Sequence, residues 1–182
     1  MSVKREASGR RSVPVEVEVP GSSQSAVARR SAEAELRMLI AKFAPAHPRL
    51  AGAMRRSLRK RLPTAHEVVY EYQNQGAVVI SFSPNGHGYA GVLGIRADAD
   101  GVKLFFNHAK ELPDPAKLLQ GSSQTRWISL EGTSTFARPE VACLIDEAIA
   151  RTSVPFERAG RGSVVMSRST SAKQRQRRRP PT

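Results

Sequence analysis

The sequence predicts an α+β domain of two layers, with helices packed on one face of an antiparallel sheet of about four to five strands. Three observations support this class. Apolar residues first recur at helical spacing, alternate as in strands after Gly76, and return to helical spacing after Pro139. The turns between the predicted strands are short, and short turns indicate antiparallel neighbours because parallel strands need longer crossovers.

Helices are predicted before the strands. In the first, which begins at Ser31, the apolar residues from Leu36 to Phe43 share one face that can pack on a sheet. Pro48 opens the second helix. Outside its apolar stripe, this helix carries six basic residues, which are Arg49, Arg55, Arg56, Arg59, Lys60 and Arg61. Pro63 ends it, and we predict a third, short helix over residues 64–72.

The strands are predicted from alternating apolar residues. Three of them, beginning after Gly76, are joined by turns at 84–88 and 97–101, and a fourth begins near Arg126. The pattern places Phe105 and Trp127 on the face that the helices leave uncovered. A partner is expected to cover such apolar surface, and a homodimer through Phe105 and Trp127 is one expectation.

The formal net charge of +13 is unevenly distributed along the chain. Residues 1–30 are predicted to be a disordered basic tail, residues 31–153 the folded domain, and residues 154–182 a disordered Arg-rich tail. The last segment has eight basic residues and one acidic residue, so it holds much of the excess. The candidates for contact with nucleic acid or another acidic partner are Arg175, Arg177, Arg178 and Arg179.

Several functional classes are disfavoured. No apolar run approaches the roughly 20 residues that cross a bilayer, and the N-terminus lacks the apolar core of a secretory signal. The single cysteine excludes an intrachain disulfide and a cysteine-cluster metal site. No nucleophile elbow or HExxH zinc motif is present. We therefore expect a cytoplasmic protein that is not an enzyme, with no cofactor, no bound metal and no membrane partner.

Four polar residues are predicted to converge on a ligand site. If residues 64–72 are helical, Glu67 and Tyr70 share one helix face. His108 and Arg126 end and begin neighbouring strands, which brings them towards each other. Such a group would bind a small polar ligand, with Arg126 clamping an anion and Tyr70 donating a hydrogen bond. The alternative is a structural network, in which Glu67 pairs with Arg126 and Tyr70 spans the boundary between helix and sheet.

Four stretches resemble the YdhG-like domain family, also called domain of unknown function 1801. They are P-T-A-H-E-V-V-Y, L-F-F-N-H-A-K-E-L-P-D-P-A-K-L-L-Q-G-S, R-W-I-S-L and the closing amphipathic helix. Their order and spacing carry the resemblance over roughly residues 34–151. It implies an α+β domain of largely uncharacterised biochemistry. After Gly121 the chain reads S-S-Q-T where the family carries another Gly and a Lys, so no anion-binding role is carried over to that loop.

Three functions remain open at this point. The leading hypothesis is a non-enzymatic binding module for a small polar ligand or a protein partner. The first alternative is a nucleic-acid-associated protein that binds through its basic tail. The second comes from the likeness of some family members to frataxins, which implies an iron-binding protein. Its carboxylates would be Glu33 and Glu35 of the first helix, since hard cations prefer oxygen ligands.

Overall fold

The structure, a computed structural model, describes residues 24–167. In this part of the chain the helices are α1 (Ala26–Phe43), α2 (Pro48–Arg61), α3 (Thr133–Phe136) and α4 (Pro139–Ala150). The strands are β1 (His66–Tyr72), β2 (Ala77–Ser83), β3 (Leu93–Asp98), β4 (Gly101–Phe106), β5 (Arg126–Leu130) and β6 (Val164–Ser167). None of the helices between residues 24 and 167 has the length and apolar character needed to cross a bilayer.

The strands form one sheet in the order β5-β4-β3-β2-β1-β6. Neighbours are antiparallel except β1 and β6, which run parallel. The α+β class is thereby confirmed. The predicted number of four to five strands was too low, because the sheet has six strands within residues 24–167. One pair of them is parallel.

The core lies between the helices and one face of the sheet, which gives the two predicted layers. Its fully buried side chains come from both layers and include Leu36, Met54, Leu58 and Ile145 from helices and Ile80, Ile95 and Leu104 from strands. Along each strand these residues alternate with others that point to the opposite face. Within residues 24–167 no helix covers that second face, so functional residues can be exposed there.

The short helix predicted over residues 64–72 is wrong, since this segment forms strand β1. It pairs with β2 along its whole length, with Val69 opposite Ile80. The local composition explains the result, because β-branched Val68 and Val69 and two tyrosines fit a pleated surface better than a helix. The error matters for the site, since strand and helix place side chains in different directions.

The folded region also extends beyond both predicted domain boundaries. Helix α1 begins at Ala26, where the Ser25 hydroxyl accepts a hydrogen bond from the Ala28 N–H at 3.2 Å. Strand β6 lies within the predicted C-terminal tail, and Val164 is only 1% exposed. The Gln24 side chain hydrogen-bonds both backbone groups of Val164, at 2.8 and 2.9 Å. Segments predicted to be tails therefore meet at the β6 edge of the sheet.

The remaining parts of the two predicted tails, residues 1–23 and 168–182, lie outside the described residues. The same is true of the residues proposed to contact nucleic acid, which are Arg175, Arg177, Arg178 and Arg179. That interaction therefore stays a prediction.

Candidate functional site on the open sheet face

Glu67 and Tyr70 do not share a site, because they leave β1 on opposite faces. Side chains alternate along a strand, so residues three apart point in opposite directions. Glu67 is buried at 2% exposure on the helix-covered side. Tyr70 is half-buried on the open face, in the row of cross-strand partners that continues through Val79 to Arg96. The predicted convergence of these two residues is thus wrong.

Glu67 belongs to a buried ion-pair network with two arginines of α2. Arg55 Nε pairs with one carboxylate oxygen of Glu67, and Arg59 Nε lies 2.5 Å from the other. Both arginines also contact Glu33 of α1, at 2.6 and 2.8 Å. The network joins α1, α2 and β1. Its role matches the structural alternative, but the partners of Glu67 are Arg55 and Arg59 instead of Arg126.

The electrostatics of Glu33 follow from these contacts. Burial of its carboxylate raises the pKa, but hydrogen bonding from Arg55 and the charges of Arg55 and Arg59 outweigh burial. The pKa of Glu33 is lowered from 4.5 to about 2. This carboxylate is one of the two on which the iron-binding alternative depends, and its oxygens are engaged by guanidinium groups. Within residues 24–167 no group of three or more His, Cys, Asp or Glu side chains is placed to hold a metal ion.

His108 and Arg126 are also separated from Tyr70. His108 is exposed in a left-handed turn, with φ 55°, and lines a separate pocket of about 260 Å³ beside Arg151 at the end of α4. Arg126 lies opposite Phe106 on the helix-covered side of edge strand β5. Strands β2, β3 and β4 stand between Glu67 and Arg126, a separation of about 19 Å at roughly 4.8 Å per strand spacing. The four residues therefore do not form one site, and binding of an anion by Arg126 stays a prediction.

A concave groove of about 730 Å³ occupies the open face of the sheet. Four aromatic side chains line it, which are Tyr70, Tyr72, Phe105 and Trp127. Phe105 and Trp127 are direct cross-strand partners on β4 and β5, in the outward position predicted from the sequence. The rings of Tyr70 and Tyr72 lie 6.1 Å apart, centre to centre, at an interplanar angle of 40°. The groove therefore has aromatic side chains at both of its margins, from β1 on one side and from β4 and β5 on the other.

A glycine in the middle of the sheet shapes the groove floor. Gly94 of β3 is the cross-strand partner of Phe105, and any Cβ at this position would lie 2.6 Å from the Phe105 ring and 2.1 Å from the Ile80 carbonyl oxygen. The absence of a side chain lets the Phe105 ring lie against the backbone of β3. A side chain at this position would displace the Phe105 ring from the groove floor.

Trp127 is held at one margin of the groove. Its backbone makes both hydrogen bonds of an isolated bridge with Gln120, at 2.7 and 3.1 Å. Its indole N–H donates to the Gln120 side-chain oxygen at 3.1 Å. The segment around Gln120 thus covers part of the edge of β5 and orients the indole. Side chains fixed in this way before a ligand binds are typical of binding sites.

Charged groups lie at the groove's centre. Arg96 Nε contacts the buried Asp98 carboxylate at 2.7 Å, and Lys103 Nζ lies 3.6 Å from the same oxygen. Burial of Asp98 raises its pKa, but the hydrogen bond from Arg96 and the charges of Lys103 and Arg96 give a net lowering. Asp98 is therefore ionised near neutral pH. Two cations facing one carboxylate leave this part of the groove with one positive charge in excess.

Two hydroxyl groups complete the groove. Ser81 lines it at 3% exposure, and its Oγ makes no hydrogen bond within residues 24–167. A buried hydroxyl without a hydrogen-bond partner destabilises the folded protein, so it marks a group that a ligand or a water molecule can hydrogen-bond. The Tyr70 hydroxyl also lies in the groove. Its pKa is raised, mainly by burial and to a smaller extent by the nearby Tyr72. Tyr70 is a hydrogen-bond donor at neutral pH.

No family model, no curated protein and no solved structure matches this chain. The resemblance to the YdhG-like domain family thus stays a prediction.

Most of the groove was missed as a site by sequence reasoning, although the signal was present. Arg96 alternates with the buried residues Ile95 and Ala97, and Lys103 with Val102 and Leu104. The alternation alone is therefore enough to predict charged residues at the outward positions of central strands. What the sequence does not contain is the cross-strand register, which aligns Arg96 with Lys103 and brings both into the row of Tyr70.

Proposed function

We propose that this protein is a non-enzymatic binding module, whose open sheet face binds a small planar molecule that carries an anionic group. The observation that carries the proposal is the groove that combines four aromatic rings with Arg96 and Lys103. Its volume of about 730 Å³ lies within the range of small-molecule sites, roughly 300–1,000 Å³.

The aromatic rings favour a planar ligand. Offset or edge-to-face contacts between aromatic rings add stabilisation beyond the burial of apolar area. Phe105 and Trp127 are adjacent, and Tyr70 and Tyr72 lie on the far side of the cationic pair. A flat ring placed over Phe105 would reach the Trp127 indole and the charged centre together.

The cations favour a negative group on that ligand. Arg96 already donates to Asp98, whereas the Lys103 ammonium is 3.6 Å from it, beyond hydrogen-bonding distance. Lys103 therefore retains donors for a carboxylate or a phosphate oxygen, and charge-assisted hydrogen bonds are the stronger class. The Ser81 and Tyr70 hydroxyls offer further polar contacts within the same groove.

The homodimer expected through Phe105 and Trp127 is the second candidate for this face. Both residues are half-buried and neighbouring, which gives an apolar patch. A second copy would, however, have to bury Arg96 and Lys103 of both chains, which share only Asp98 as a partner in each, and burying the excess charge is costly. An anionic ligand satisfies the same groups, so we favour the ligand.

The test is calorimetric titration with 2-naphthoate, a planar aromatic acid, alongside its neutral amide and cyclohexanecarboxylate. The acid should bind, and each control should bind at least about tenfold more weakly, since it lacks either the charge or the ring. Lys103→Gln should weaken binding of the acid. Lys110→Gln, which removes an exposed lysine outside the groove, should leave that binding unchanged. Equal binding of acid and amide, or no binding, would contradict the proposal. A dimer measured by light scattering and lost on Trp127→Asp would favour the homodimer.

The other functions stay predictions. Binding of nucleic acid through the basic tail would be tested with a chain that ends at Ser167, which keeps β6 and removes the four arginines. Retention on DNA or RNA at low salt should then fall. Iron binding would be tested by ferrous titration of the Glu35→Gln variant. The cytoplasmic location is likewise a prediction from the sequence.

A further inference from the structure

A second pocket, of about 320 Å³, lies on the opposite side of the sheet from the groove, where the start of α1 meets the end of α2 and the segment before β6. Three arginines line it, which are Arg29, Arg59 and Arg161, together with the single carboxylate of Glu67. The lining side chains therefore carry three positive charges and one negative charge, an excess of two, while the Glu157 carboxylate lies outside the lining, 4.0 Å from the position of a Cβ on Gly160. The network partners just beyond it, Arg55 and Glu33, cancel each other.

The chain builds this pocket by bringing distant segments together. Arg29 Nη2 donates to the Gly162 carbonyl oxygen, and the Thr64 hydroxyl donates to the Glu157 carbonyl at 2.7 Å. The Gly162 N–H donates to the Pro63 carbonyl at 3.2 Å. The segment that carries Arg161 is therefore fixed against the rest of the fold at several points.

The close approach of this segment requires glycine. A Cβ on the buried Gly162 would lie 1.7 Å from the Ala65 carbonyl oxygen, a distance that no side chain can adopt. Gly160 has φ 106°, which also favours glycine. Arg161 lies between these two residues, so the backbone places its exposed side chain at the mouth of the pocket.

The guanidinium groups are close enough to repel one another. Burial lowers the pKa of Arg29, and the charges of Arg161 and Arg59 lower it further, against the opposing effect of Glu33 and Glu67. The ion pairs of this region engage Arg59 but, within residues 24–167, neither Arg29 nor Arg161. Two positive charges are thus left without a carboxylate partner in the described part of the chain.

We propose that this pocket binds a doubly charged phosphate group, as free phosphate or as a phosphate monoester, through Arg29, Arg59 and Arg161. The dianion matches the excess of two charges. Guanidinium groups also present paired N–H donors that fit phosphate oxygens. This site is independent of the groove on the open face, and neither proposal depends on the other.

The test is calorimetric titration of inorganic phosphate into the full chain at low ionic strength. Arg161→Gln removes an exposed side chain and should preserve the fold, whereas Arg29 also holds the Gly162 carbonyl and is left unchanged. We expect this variant to weaken phosphate binding by about tenfold or more, the effect of losing one charge-assisted hydrogen bond. Arg158→Gln is the matched control, since Arg158 is exposed in the same segment but does not line the pocket.

Further titrations separate the sources of the phosphate group. A phosphate monoester such as glucose 6-phosphate should show the same dependence on Arg161 if the site accepts monoesters. A single-stranded oligonucleotide without terminal phosphates should not compete with inorganic phosphate. Equal phosphate affinity in the native and Arg161→Gln proteins would overturn the proposal. It would also be overturned if Arg161→Gln weakened oligonucleotide binding and left phosphate binding unchanged.

Discussion

Glu67 and Tyr70 belong to one strand, yet their side chains leave the sheet on opposite faces, Glu67 towards Arg55 and Arg59 and Tyr70 into the open groove. Strand β1 therefore separates two kinds of polar chemistry. On the helix side, the ion pairs of Glu33 and Glu67 with Arg55 and Arg59 hold α1, α2 and β1 together. On the open side, Lys103 and the Tyr70 hydroxyl line the groove, and the buried Ser81 hydroxyl has no hydrogen-bond partner within residues 24–167.

Removing the buried carboxylate should strongly destabilise the fold. Glu67→Gln leaves Arg55 and Arg59 without one of their two carboxylate partners in a largely buried setting. Breaking one side of a buried ion pair costs about 3–5 kcal/mol. Urea unfolding of the full chain measures this loss. Glu140→Gln is the control, because Glu140 is half-exposed at 3.7 Å from Arg138 and its loss should cost less than about 1 kcal/mol.

The stability of the protein should depend on Glu33 at acid pH. Its pKa is about 2 in the folded protein against 4.5 ordinarily, so its contribution is complete above pH 4.5 and is lost as the pH falls towards 2. Asp98, whose pKa is also lowered, acts in the same direction. Unfolding free energies measured across this interval should decline less steeply for Glu33→Gln than for the native chain. Parallel pH dependences would show that the Glu33 pairing has no such effect.

Two glycine substitutions should have opposite effects. Gly162→Ala forces a Cβ against the Ala65 carbonyl and should destabilise by about 1–3 kcal/mol, the usual cost of overpacking. Gly52→Ala, within α2, meets nothing nearer than an Arg56 side-chain atom at 3.5 Å and should stabilise by about 0.5–1 kcal/mol. Thermal and urea unfolding measure both. Stabilisation by Gly162→Ala would mean that the segment before β6 does not approach β1 as described.

Strand β6 should be required for stability. A chain that ends at Ser153, the predicted domain boundary, loses the buried Val164 and exposes the edge of β1. We expect a loss of at least about 2 kcal/mol in the unfolding free energy, from the burial of the valine alone. A chain that ends at Ser167 serves as the comparison. Equal stability of the two shortened chains would show that β6 contributes nothing.

The sequence was informative where a local pattern determines the structure. Alternation placed Phe105 and Trp127 outward, and helical spacing found the stripe of α1. The sequence was misleading for residues 66–72. Glu67 and Tyr70 are three residues apart, a spacing that is compatible with a helix or a strand, and only the pairing with β2 decides between them. Long-range contacts, such as those of Glu67 with Arg55 and Arg59, leave no periodic signal.

Strand β6 is a second element that could not be predicted from the sequence, because it depends on long-range contacts. Its four residues lie within a segment rich in Gly, Ser and Arg, a composition typical of disorder. The strand forms by parallel pairing with β1, and Gln24, Arg29 and His66 hold residues 162–164 in place by hydrogen bonds. Gln24 and Arg29 lie more than a hundred residues earlier in the chain, and no single-sequence pattern reports such contacts.

The most direct test of the proposed binding face uses its tryptophan, which is the only one in the chain. The indole N–H of Trp127 gives a single side-chain signal in a proton–nitrogen NMR spectrum, and it lies at the margin of the groove. Titration with 2-naphthoate should shift this signal saturably in the native and Lys110→Gln proteins and far less in Lys103→Gln. A shift of equal size and affinity in Lys103→Gln, or an unmoved Trp127 signal while the acid binds elsewhere, would contradict the account.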